Sequence, residues 1–243
     1  SIGKHLVCDR KNTDDLKSVL SYFNPHIILD MINFDKSDSK GICSLYDQGY
    51  CKNLSHYITL SSFFIYNHFE YCTYSERKIN ASLSESSLDG YTNRKIESEI
   101  TLYDSKLMNI STILRLPFVF SSDDYSNRFQ TLCKLALSDQ FQVIDHPFRY
   151  SLLRKNDATD SIIKVIESHP IGIADLSNNG YVTSKDLLNA VKSFIHPLKS
   201  VQNLSNTQGA TCLWNIWTVI SELYVDIWPY PSEPSSKVVL TKL

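Results

Sequence analysis

Short strand-like runs rich in apolar residues, each bounded by turn formers and separated by helical patterns, are the feature that most restricts this fold. His26–Ile32, Tyr57–Ser62 and Ser111–Leu116 are three such runs, and Gly172–Leu176 is a shorter fourth. A continuous apolar run of this length suits a strand covered on both faces in a parallel sheet. Between and around them lie helical patterns. Asp14–Tyr22 reads as a helix, with Leu16, Val19, Leu20 and the following Phe23 at helical spacing, Asp14 and Asp15 in the first turn and Asn24-Pro25 as its stop. Further helices are expected at Lys40–Leu54, Tyr91–Leu107, 126–137, Asp157–Ser168 and Thr183–Ile195, the last capped by Thr183 or Ser184. Strand and helix therefore alternate, which predicts an α/β fold: a Rossmann-like parallel sheet with helices on both faces. Residues 1–165 are read as that core and 166–243 mainly as a smaller C-terminal lobe. The lobe holds all three Trp (214, 217, 228) and Pro229-Tyr230-Pro231. Residues 70–90 form a long polar loop of a kind that often serves function.

Composition removes several function classes. The net charge is −2, which gives no electrostatic footprint for nucleic acid or an anionic membrane. No apolar run approaches the roughly 18 residues of a membrane span. The six Cys, at 8, 43, 51, 72, 133 and 212, form no C-x-x-C pair, so reduced thiols in a cytoplasmic protein are expected. The seven His are scattered without ligand spacing, and no metal site is expected. Asp175 to Asp186 matches much of a calcium-binding EF-hand loop, with Gly180 at its sixth position. Pro170 and the strand-like Gly172-Ile173-Ala174 stand where the entering helix belongs, so a strand, a turn at Asn178-Asn179-Gly180 and a helix is the preferred reading.

One constellation carries chemistry. A strand ends in Ser61-Ser62, Tyr91 follows 29 residues after Ser62, and Lys95 lies four residues further on one helix. The i,i+4 spacing puts phenol and ammonium on the same helix face. A free tyrosine has a pKa of about 10 and is a poor base at neutral pH. An adjacent ammonium favours the phenolate, which can then exchange a proton with a substrate hydroxyl or carbonyl oxygen. A serine hydroxyl at the strand end can hydrogen-bond the same oxygen. Such a set suits hydride transfer between an alcohol carbon and a nicotinamide.

The order of these motifs resembles the extended short-chain dehydrogenases, the NAD-dependent epimerase/dehydratase family. Tyr57-Ile58-Thr59-Leu60-Ser61-Ser62 through Tyr66 is similar to the family's strand, Ser-Ser and following Tyr, with Ser62 at the place of the catalytic Ser/Thr. Tyr91-Thr92-Asn93-Arg94-Lys95, with Glu99 after it, resembles the family's Y-x-x-x-K helix. Ile113–Phe120 looks like the strand and loop beside the nicotinamide, including Pro117. Ser122–Phe129 resembles the stretch that relatives begin "G-P-D-D-Y", and Arg149 with Asp157-Ala158 resembles the family's "R…D-x-A". Val7-Cys8-Asp9-Arg10 looks like the strand whose Asp faces the adenine.

The resemblance covers about residues 5–195 and implies an enzyme using NAD or NADP. Its implied roles are Tyr91 as acid/base, Lys95 as the partner of Tyr91 and ribose ligand, and Ser62 as oxygen-positioning donor. Asp9, Arg10, Asn33 and Pro117 would line the cofactor, and Arg128 and Arg149 the substrate. The substrate would be a small hydroxylated molecule, a nucleotide sugar being the first candidate, and a homodimer is compatible with the resemblance.

Three departures stand out. The seven glycines, at 3, 41, 49, 90, 172, 180 and 209, supply no G-x-x-G-x-x-G turn to cradle a pyrophosphate. Ser121-Ser122 replaces the usual Gly-Pro, and Asn33-Phe34 stands where relatives often have small residues. Two explanations follow for the missing turn: the sequence is an excerpt of a longer protein, which the absent initiator Met favours, or dinucleotide binding has been lost. The second points to another function class, a non-catalytic relative serving protein or RNA contacts.

Overall fold

The structure, a computed structural model, describes residues 4–63, 65, 90–121, 149–180, 182–183, 186, 189–190 and 241–242. Within these the chain divides into two compact units that interleave along the sequence. The first comprises residues 1–116, 160–176 and 240–243, and the second 117–159 and 177–239.

The first unit is a five-stranded, Rossmann-like sheet flanked by helices. Its strands are β1 (Ile27–Asp30), β2 (His56–Ser62), β3 (Ser111–Leu116), β7 (Gly172–Asp175) and β9 (Thr241–Lys242), in the order β1-β2-β3-β7-β9. The first four run parallel, and β9 pairs antiparallel to β7. Helix α1 (Thr13–Phe23) precedes β1, while α2 (Lys36–Asp47) and α3 (Gly90–Tyr103) connect β1 to β2 and β2 to β3. Each crossover joins neighbouring parallel strands, the arrangement that an alternating pattern dictates. Helix α4 (Lys155–Ser168) leads into β7. The second unit holds β4 (Phe118–Phe120) parallel to β6 (Leu152–Arg154), and β5 (Arg149–Tyr150) antiparallel to β8 (Val182–Thr183).

Burial explains why β2 and β3 are central. Every residue of β3 is buried, as are six of the seven residues of β2. Leu45, Leu54, Leu102, Leu107 and Ile113 pack around Tyr57 into one apolar cluster beneath α2 and α3. Each such side chain contributes about 1.5–3 kcal/mol on burial. Cys43 and Cys51 belong to this cluster as free thiols, and burial pushes both up from the ordinary thiol range.

Several expectations are corrected. Val7–Arg10 forms no strand: Asp9 and Asn12 build a turn instead. Asp9 Oδ1 accepts from the Lys11 amide, the Asp9 carbonyl accepts from the Asn12 amide, and Asn12 caps α1. The run His26–Ile32 is strand only over Ile27–Asp30, and it borders the sheet, with β2 its single partner among the described residues. Met31 and Ile32 lie beyond the ladder and are exposed. Helix α2 starts four residues earlier than expected because Asp35 and Asp38 form a reciprocal capping box. It stops before Gly49, whose φ is +81°. The helix expected to run to Leu107 breaks at Tyr103, and a 3-10 turn covers Lys106–Ile110. Thr183 is the last residue of β8, with Asp186, Asn189 and Ala190 helical after it. The helix expected at 126–137, the loop at 70–89 and the three Trp lie outside the described residues.

Candidate functional site

The C-terminal ends of β1, β2 and β3 gather the first unit's polar side chains, and α3 supplies the central one. Lys95 sits in the second turn of α3 and is 4% exposed. Its Nζ donates to the carbonyl of Asn33 at 2.7 Å and to that of Leu60 in β2 at 3.1 Å. It also lies 5.0 Å from the centre of the Phe34 ring. An ammonium has three donors, and the third N–H of Lys95 has no partner among the described residues. Burial lowers the Lys95 pKa, and the Glu99 carboxylate one turn along works against that fall.

Tyr91 precedes Lys95 by one turn and is 39% exposed, the accessibility a group meeting substrate needs. Ser62 closes β2, opposite Leu116 in the β2–β3 register, and is buried. Ser61 is buried too, and its Oγ has no hydrogen-bond partner among the described residues. Glu99, also on α3, meets Arg115 of β3 in a bidentate pair: Nε to Oε1 at 3.1 Å and Nη2 to Oε2 at 2.6 Å. Both residues are almost wholly buried, so the pair clamps α3 to β3. Tyr103, the last residue of α3, is exposed.

The other expected site residues divide. Asn33 is 2% exposed, and its carboxamide is engaged internally by Ser39, Thr59 and Ser98. Arg10 gives both terminal nitrogens to Asp30, at 2.7 and 2.9 Å, and Tyr57 Oη donates to the same carboxylate. The Arg10 Nε lies 3.1 Å from Asp38 Oδ1, an ion pair without hydrogen-bond alignment. Lys11 bridges Asp35 and Asp38, each at 2.7 Å, and its bonds to Asp35 hold that carboxyl well below the usual range. Asp9 is exposed beside this cluster. Pro117 follows β3 directly as the first residue of the second unit and is half-buried. Arg149 lies in β5, and Arg128 is outside the described residues.

The EF-hand pattern is taken up by structure. Asp175 pairs in β7, and Asn178 Nδ2 donates to Asp157 Oδ2 at 2.9 Å within the second unit. Among the described residues no group of three or more His, Cys, Asp or Glu could hold a metal, and no helix is long and apolar enough to cross a membrane.

Sequence reasoning missed Ser39, Thr59 and Ser98. Two of them carried a signal: Ser98 lies at i+7 from Tyr91 and i+3 from Lys95, and Thr59 shares a strand face with Ser61.

Comparison with solved structures finds the same fold. A protein of Methylobacillus flagellatus assigned as an NAD-dependent epimerase/dehydratase superposes with a TM-score of 0.59 at 17% identity, covering 85% of this chain and 71% of that one. The enzyme WbmG of Bordetella bronchiseptica, in complex with NAD, gives 0.59 at 12% identity, covering 86% and 77%. UDP-N-acetylglucosamine 4-epimerase of Bacillus cereus gives 0.55 at 15%, covering 90% and 88%. At these identities the likeness shows a shared fold. No family profile matches the sequence, and no curated protein does.

Proposed function

We propose that this chain is an NAD(P)-dependent epimerase/dehydratase or reductase acting on a hydroxylated substrate, with a nucleotide sugar as first candidate. The observation that carries this reading is Lys95. A buried amino group is drawn to two backbone carbonyls at the strand ends, one helical turn from a half-exposed Tyr91. In open α/β sheets the strand C-termini are where ligands bind. Fold neighbours solved with NAD, and one with NAD and UDP, support the same assignment.

The residues fit a nicotinamide cofactor at one end. Lys95 keeps one N–H for a ribose hydroxyl, and Tyr91 is accessible. A bound NAD(P) would supply the hydride acceptor. In its ammonium form Lys95 favours the Tyr91 phenolate, which takes the proton from a substrate hydroxyl. Ser62 orients that oxygen. Arg128 and Arg149 remain the proposed substrate ligands.

The second reading, a non-catalytic relative, is favoured by the commitment of Arg10 to Asp30. Incubation with NAD+ or NADP+ and a set of nucleotide sugars, followed by nicotinamide absorbance and product analysis, separates the two. Turnover that falls about 100-fold or more in Tyr91→Phe supports the enzyme. Turnover unchanged in Tyr91→Phe sinks the assignment of that residue.

A further inference from the structure

We infer that Asn33 is a positioning residue for Lys95: its side chain locks the peptide whose carbonyl receives the lysine amino group. The inference rests on reading Lys95 as the site lysine.

Asn33 occupies a stretch with no regular structure of its own. Strand β1 ends at Asp30, and the capping box of α2 begins at Asp35. Neither a sheet ladder nor a helix fixes the Asn33 carbonyl. The carboxamide does so instead, from three directions. Nδ2 donates to Ser39 Oγ of α2 at 3.0 Å and to Thr59 Oγ1 of β2 at 3.1 Å. Oδ1 accepts from Ser98 Oγ of α3 at 2.8 Å. Ser39 and Ser98 are themselves 2.8 Å apart.

All four side chains are buried, with Asn33 at 2%, Ser39 at 0%, Thr59 at 3% and Ser98 at 3% exposure. A fully satisfied network of this kind fixes geometry as well as adding stability. Ser98 lies three residues after Lys95, so α3 grips the carboxamide with one residue and reaches the carbonyl with the other. A small apolar residue in place of Asn33 could make none of these bonds. Without them the carbonyl would be tethered only by the lysine it is meant to place.

The test uses the full chain, 15N-labelled at lysine side chains. The Lys95 Nζ signal is assigned by its loss in Lys95→Arg, and its proton exchange is measured with and without Asn33. In Asn33→Ala, exchange of the Lys95 amino protons is expected to quicken about tenfold or more, while backbone amides of β2 and β3 keep their protection. Exchange within about twofold of the parent, in a folded variant, overturns the inference. So does a rise matched by the β2 and β3 amides, because that is general loosening.

If Asn33→Ala does not fold, Ser98→Ala removes a single donor to the carboxamide. It is expected to speed Lys95 exchange about threefold, and no change there overturns the inference equally. This readout needs no cofactor. A positive result with no nicotinamide binding would leave the positioning role intact while removing the proposed enzymatic function.

Discussion

Strands β2 and β3 carry a buried polar cluster at each end, and the two clusters differ in kind. At the C-terminal ends Lys95, Asn33, Thr59, Ser39 and Ser98 interlock, and Glu99 meets Arg115 beside them. At the N-terminal ends His56 Nε2 lies 2.7 Å from Thr112 Oγ1 and 3.2 Å from the Pro170 carbonyl, which Thr112 also approaches. His169, in a left-handed conformation, packs its ring 4.8 Å from that of His56. With Nε2 protonated, His56 Nδ1 is a bare acceptor, buried without a hydrogen-bond partner among the described residues. The upper cluster holds charge, and the third N–H of Lys95 has no partner among the described residues. The lower cluster contains no ion pair among the described residues, and burial favours the neutral form of His56. The same two strands thus carry an ionic cluster at one end and a histidine cluster at the other.

The largest effect should come from breaking the upper cluster at its ion pair. Arg115→Leu strands the Glu99 carboxylate in the core and is expected to cost about 3–5 kcal/mol in urea denaturation. Replacing Glu99 and Arg115 together by leucine should cost far less, since no buried charge remains. Equal losses in the single and double variants would contradict the pair's role as a clamp. Tyr91→Phe is the opposite kind of change. Stability should stay within about 0.5 kcal/mol, because the residue is partly exposed, while any nicotinamide-linked turnover collapses.

The lower cluster should answer to pH. Burial, aided by the neighbouring His169, lowers the His56 pKa below the ordinary histidine value. The unfolded chain therefore binds the proton more readily than the folded one. The stability this contributes is complete above the unfolded value of about 6.5 and is lost as pH falls through the folded value. Thermal melts from neutral to acid pH should show this slope, and His56→Gln should flatten it. A smaller effect is expected at the start of α2. Asp35→Ala removes the cap and should cost about 1 kcal/mol without disturbing Lys95, since Asp35 touches Lys11 and Ser37 rather than the carboxamide.

Much of this was legible in the sequence. β3 runs over the expected residues, β2 begins one residue early, and Tyr91 and Lys95 fall on one helix as their spacing requires. These elements are strands rich in β-branched and apolar residues or helices with a clear spacing signal, so local pattern and tertiary position agree. The misses share a cause. Asp35 and Asp38 lengthen α2 through a capping box made of two aspartates, which a search for Glu or Gln passes over. Val7–Arg10 resembles a strand of the family, but a strand needs a ladder, and Asp9 offers the local amides a turn instead. Asn33 reads as a departure from small residues at the cofactor, whereas its partners Ser39, Thr59 and Ser98 come from three separate elements. No local pattern announces such a convergence.

The strand ends around Lys95 and Tyr91 are the proposed nicotinamide site. Calorimetric titration of the chain with NAD+, NADH, NADP+ and NADPH tests it most directly, with Lys95→Met as the comparison. Saturable binding of one form at a Kd of about micromolar, weakened about tenfold or more in Lys95→Met, is the predicted result. A folded chain that takes up none of the four, or one whose binding ignores the loss of Lys95, would contradict it.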